Sequence, residues 1–133
     1  MSRQSVRGNA GEDHVTGYLI DNGWQIEARN YRVRGGEIDI IARKADILAF
    51  VEVKTRKFGS LTEGVESVNK RKQSFIIRTA DRYLEDNPSD AGTIRFDVAE
   101  VTVTTEDAPR VIGMNYIADA FDAFSLPKSC EQF

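Results

Sequence analysis

The sequence predicts an α/β protein: a mixed β-sheet flanked by helices, in the order helix, three strands, helix, two strands. Three observations carry that expectation. Residues 36–41 and 50–55 are short apolar runs joined by a loop over 43–46, which is the signature of a hairpin. Residues 65–87 place Val65, Val68, Phe75, Ile76, Ala80, Tyr83 and Leu84 along one stripe at helical spacing. Residues 93–104 return to alternation, with Ile94, Phe96 and Val98 set against Asp97, Ala99, Val101 and Val103. A long helix between two strands makes a right-handed crossover on one face of the sheet, which leaves the first helix to cover the other.

In chain order, residues 1–7 are polar and basic and read as a flexible tail. Residues 8–22 read as a helix, with Asn9 as its N-cap and Val15, Tyr18 and Leu19 on its apolar face. Asn22-Gly23 ends it, because both residues tolerate the left-handed cap. Residues 24–33 form the first strand, and Arg34-Gly35-Gly36 the turn into the second. Residues 56–64, with Gly59 and Gly64, read as a loop bearing Arg56 and Lys57. Pro88 stops the long helix. Residues 110–116 are expected as an edge strand, 117–124 as a short helix and 125–133 as a tail. There are no internal repeats.

A chain of 133 residues is expected to be one domain, long enough for one sheet and its covering helices. No apolar run approaches the roughly 20 residues of a membrane span, and no secretory leader is visible. The single cysteine, Cys130, and the single histidine, His14, exclude an internal disulfide and a zinc site. A reducing, cytoplasmic setting is the expectation. The net charge of −3 is unevenly spread: residues 29–82 hold 13 of the 18 Lys and Arg but 7 of the 21 Asp and Glu. A basic segment inside an acidic chain suits a polyanionic partner.

Within that segment two strands carry carboxylates where apolar side chains would normally sit. Leu48, Phe50, Glu52 and Lys54 share one face of their strand, and Glu37, Asp39 and Ile41 share one face of theirs. Hairpin pairing brings Asp39 beside Glu52 and Lys54. Acids on a strand are otherwise the solvated side of a half-exposed sheet, but strands this apolar are central, and a buried carboxylate needs a partner. Asp39, Glu52 and the backbone carbonyl of Val53 form a donor set for Mg²⁺ or Mn²⁺, with Lys54 placed to orient a water or balance charge. Lys72 falls inside the apolar stripe of the long helix, where it must snorkel or meet an acid. Arg56 and Lys57 either close over a phosphate backbone or sit on an ordinary connection. Glu12 and Asp13 lie in the first turns of the first helix, where acids serve the helix dipole.

The chain resembles the YraN-like bacterial family, part of the PD-(D/E)XK endonuclease-like superfamily. The matching residues are Gly8, Gly11 and Glu12 with Tyr18-Leu19, then Arg29-Asn30-Tyr31-Arg32 and the runs 35–41 and 50–56. Val68 with Lys72, Arg95-Phe96-Asp97-Val98 and Asp119-Ala120-Phe121 complete the match. Two departures are Val15, where the family has a small alanine, and Ile38, where the superfamily's name has proline. The resemblance implies a restriction-endonuclease-like core. It implies that Asp39 and Glu52 are ligands of Mg²⁺, with Lys54 catalytic. Glu12 is then an additional acid, as in Holliday-junction-resolvase-like members, and Lys72 is the family's helix lysine.

The resulting expectation is a metal-dependent nuclease acting on DNA, including branched or processed DNA, with homodimerisation or a protein partner supplying further DNA contacts. The DNA-binding residues expected are Arg56, Lys57 and Lys72. The competing expectation is a non-catalytic nucleic-acid-binding or scaffold protein with a vestigial site, and the acidic total charge stands on its side. A phosphodiesterase for RNA or nucleotides is a third.

Overall fold

A computed structural model describes residues 3–59 and 68–122. Helix α1 (Arg3–Asp21) precedes three strands, β1 (Gln25–Val33), β2 (Gly36–Lys44) and β3 (Ile47–Lys57). Helix α2 (Lys70–Asp86) crosses over to β4 (Thr93–Val103), and β5 (Val111–Phe121) closes the chain. The sheet runs β1-β2-β3-β4-β5, antiparallel except for the central β3–β4 pair. The expected α/β order with a mixed sheet is what the chain adopts.

Each helix covers one face. Val15 and Leu19 of α1 pack on Ile40, Ala42, Ala49, Val51, Ala99, Val101 and Val103. Val68, Ile76, Ala80 and Tyr83 on the α2 side pack on Ile41, Leu48, Phe50, Phe96 and Val98. The strand alternation read from the sequence therefore divides the core correctly, with one break: Ile38 joins Ile41 on the α2 side.

Local chemistry sets the boundaries. Trp24 N–H donates to Leu19 O and Gly23 N–H to Ile20 O, with Gly23 at φ +87, so α1 ends in a Schellman cap at the expected glycine. Asn69 is the N-cap of α2, its side chain accepting from Lys72 N–H at 3.0 Å. The turn between β2 and β3 is tight, with Lys44 paired to Ile47 and Ala45 at φ +51.

Several boundaries differ from expectation. Helix α1 begins at Arg3, so residues 3–7 are helical rather than tail and Asn9 lies inside the helix rather than capping it. Arg56 and Lys57 belong to β3, which keeps its ladder with β4 as far as Lys57↔Val103, and are not in a loop. Helix α2 starts at Lys70 rather than residue 65, because the Asn69 side chain takes up a first-turn amide. Residues 117–121 continue β5 instead of forming a helix: Phe121 stacks on Phe96 at 5.2 Å, and Asp119 N–H donates to the buried Asp97. Phe75 is 37% exposed rather than buried in the stripe. The expected loop over 60–64, the start of the long helix at 65–67 and the tail at 125–133 lie outside the described residues. Among the described residues no helix is long and apolar enough to cross a membrane.

One contact fixes the seat of α1. A Cβ built at Gly11 would collide with Thr55 Oγ1 of β3, so only glycine lets the helix approach there. Gly11→Ala is expected to destabilise the protein by about 1–3 kcal/mol. Adding Thr55→Ala, which removes the clashing hydroxyl, should recover most of that loss, a non-additivity measurable by urea unfolding of the two single variants and the double.

Candidate active site

The ladder between β2 and β3 stops at Ile40↔Val51. Beyond it β2 pairs only with β1 and β3 only with β4, so the two strands part at Asp39 and Glu52. Asp39 closes the fork: its Oδ2 accepts the Val53 N–H at 2.7 Å, in place of a backbone acceptor from β2. A cleft opens there on the α2 side, lined by Gly35, Glu37, Asp39, Glu52, Lys72 and Phe75 among others.

Glu52 is 7% exposed and sits under two lysines. Lys72 Nζ lies 3.1 Å and Lys54 Nζ 3.8 Å from its Oε1. Lys72 reaches it because the Asn69 cap puts that residue in the first turn of α2, which points at the fork. Burial and then the Glu52 charge push the Asp39 carboxyl up to about 7. Burial, followed by contact with Lys72, lowers Lys54. Burial pulls Lys72 down as well, but contact with Lys54 and the charge of Glu52 outweigh it, and the net shift is upward. The two amines thus divide roles, Lys54 giving up its proton more readily and Lys72 holding its own.

Glu12 lies behind the fork, on the α1 side, and is 7% exposed. It accepts from Asn30 Nδ2 at 2.8 Å and from Arg29 Nη2 at 3.3 Å. Burial raises its pKa, while Arg29 and Asn30 oppose the rise. Its charge acts on Asp39, more weakly than that of Glu52. The structure therefore brings Asp39, Glu52, Lys54 and Lys72 together and sets Glu12 one layer away. Val53 meets Asp39 through its amide. Arg56 follows Glu52 and Lys54 along their face of β3, whereas Lys57 alternates to the other and is exposed. His14 is exposed and takes no part.

Sequence reasoning missed several residues. Asn30 holds Glu12 from a left-handed backbone conformation, φ +52, which no local pattern announces. Glu100 pairs with Lys54 in the β3–β4 ladder; its Oε1 accepts from Asn115 at 3.1 Å, and its buried Oε2 has no hydrogen-bond partner among the described residues. Alternation along β4 was the available signal, since it puts Glu100 in the row of Phe96 and Val98. Asp97 is fully buried and held by Arg95 at 2.9 and 3.0 Å and by the Tyr116 hydroxyl at 2.6 Å, so it anchors β5 to β4.

Among the described residues no three His, Cys, Asp or Glu side chains converge on one point. The donor set is two carboxylates, and the contacts above use Asp39 Oδ2 and Glu52 Oε1, leaving Oδ1 and Oε2 outside them. Two mutually repelling acids, one raised to about 7, fit a hard divalent cation whose shell waters complete.

A mixed α/β chain with an acid–lysine cleft where β2 and β3 part defines the class. The chain belongs to uncharacterised protein family UPF0102, whose model matches residues 11–101. It is similar to a UPF0102 protein of Dictyoglomus turgidum, 40% identical over 114 residues covering 86% of this chain and 95% of that one. A Chloroherpeton thalassium relative is 43% identical across 76% of this chain and 78% of its own, and a Synechococcus relative 47% identical across 69% and 71%.

The raised Asp39 pKa has a definite sign in stability. Between its unfolded value near 4 and about 7 the folded state binds the extra proton, so metal-free stability should fall as pH rises through that window. Asp39→Asn should be the more stable protein at pH 7.5 and keep only the shallower slope due to Glu12. Urea denaturation in chelator across pH 4–8 measures both.

Proposed function

We propose that this protein is a metal-dependent nuclease of the PD-(D/E)XK type, hydrolysing phosphodiester bonds of DNA. The observation that carries the reading is the fork itself: Asp39, Glu52, Lys54 and Lys72 meet where β2 and β3 part, with Asp39 fixed by the Val53 amide. Asp39 and Glu52 would hold Mg²⁺ or Mn²⁺. A bound divalent cation supplies charge neutralisation at the phosphate and a water of lowered pKa.

The chain's own groups supply the rest. Lys54, 3.8 Å from Glu52 Oε1, orients the attacking water, whose proton passes to solvent as the new P–O bond forms. The old P–O bond breaks, and its oxygen leaves with a proton from solvent. Lys72 stays charged, and its ammonium, at the positive end of α2, offsets charge building on the phosphoryl oxygens. Glu12 keeps the fork electronegative from behind, which favours cation binding at Asp39.

One observation favours the binding-only alternative. The Lys72–Glu52 ion pair at 3.1 Å already neutralises one of the two ligands, as a vestigial site would. Thermal shift and cleavage together separate the readings. In the nuclease reading Mg²⁺ or Mn²⁺ raises the melting temperature of the wild type and of Lys54→Met, because a ligand of the folded state stabilises it. Asp39→Asn should lose that rise. Cleavage of single-stranded, duplex and branched DNA should fall by about a hundredfold or more in Lys54→Met. A wild type that gains stability from Mn²⁺ yet cuts none of these substrates would place the protein in the binding-only class.

A further inference from the structure

On α2, Arg71, Phe75, Arg78 and Arg82 recur at intervals of four, three and four residues, so they form one outward stripe. Phe75 is 37% exposed, with the Arg71 guanidinium 5.7 Å and the Arg78 guanidinium 4.6 Å from its ring centre. Burying Phe75 would strengthen the core, yet the fold keeps it at the surface between two cations. A second hollow beside the Asp39–Glu52 cleft is lined by Arg34, Arg78 and Arg82 and shares Gly35 and Phe75 with it. Phe75 is thus the common wall of the two. Arg34, on the β1–β2 turn, is exposed. Among the described residues no carboxylate pairs with Arg34, Arg71 or Arg78. Of the acids nearby, Glu37 pairs with Arg32 at 3.2 Å and Asp86 with Arg82 at 3.2 Å.

We propose that the stripe Arg71, Phe75, Arg78, continued by Arg34, is a track for a single-stranded nucleic-acid segment that it leads into the Asp39–Glu52 cleft. The proposal rests on the nuclease reading of that cleft and adds the form of the substrate. Guanidiniums along one helix face present charge to the phosphates of a strand, which accounts for attraction to any nucleic acid. The exposed ring selects among nucleic acids. An aromatic face offers stacking only to a base that is not already stacked, so it favours a single strand, a flap or a frayed end over an intact duplex. The track lies on α2 and the β1–β2 turn, away from Arg56 and Lys57 on β3.

Fluorescence anisotropy in chelator, where no cleavage occurs, tests it with a labelled oligothymidylate and a duplex of equal length. The wild type should bind the single strand more tightly than the duplex. Phe75→Leu, which keeps the bulk but loses the ring, should weaken single-strand binding by about tenfold and leave duplex binding unchanged. Arg71→Gln with Arg78→Gln should weaken both, and the slope of log affinity against log salt for the single strand should drop by about 0.7 for each phosphate no longer neutralised. Melting curves verify that each variant folds; the arginine pair, being at the surface, keeps the test standing if Phe75→Leu does not. Wild-type affinity in both variants overturns the track, even where the wild type cuts DNA with Mn²⁺. A wild type that binds neither probe overturns it too. Binding through the track without cleavage in Mg²⁺ or Mn²⁺ leaves the track standing and removes the nuclease reading.

Discussion

The hydrogen bond from Val53 N–H to Asp39 Oδ2 is the constraint on which the site depends. Two antiparallel strands that separate leave backbone donors and acceptors without partners, and in a buried sheet each such group costs free energy comparable to a lost hydrogen bond. A side-chain carboxylate in the gap satisfies one of them and also places a negative charge in a half-buried position. The price is burial of that charge and, after it, repulsion from Glu52, both of which raise the Asp39 pKa. Two lysines, one from β3 and one from α2, meet that repulsion from the Glu52 side. The same few atoms therefore bridge the parted strands and set the charge in the cleft.

Glycine and a cap position the helices around this point. Gly11 lets α1 lie against Thr55, which sets Glu12 behind the fork. Asn69 starts α2 one residue before Lys70, so that Lys72 reaches Glu52 with its stem against the apolar stripe.

Most of the fold was legible because period-two and helical patterns report burial directly. Residues 50–55 and 93–104 alternate cleanly, and 36–41 do so apart from Ile38; the two faces so defined are the two halves of the core. Asp39 and Glu52 stood out because they interrupt apolar rows. What could not be read follows from long-range contacts. Residues 117–121 look helical in isolation, but Asp97 and Phe96, some 20 residues away, hold them in the sheet. Phe75 fits the apolar stripe by spacing, yet its neighbours on the surface are arginines rather than core residues. The end of strand pairing at Ile40 was equally hidden, since register is a property of two strands and not of either sequence.

The parallel β3–β4 pair has a consequence for how the molecule comes into being. Strands β1 to β3 form a meander of near neighbours, whose contacts close short loops and assemble early. Pairing Ile47 with Thr93 closes a far longer loop and waits for the intervening helix to dock. Asp39 and Glu52 belong to the early unit and Lys72 to the late one. Completing the crossover thus adds the lysine of α2 to two acids that the meander alone sets side by side.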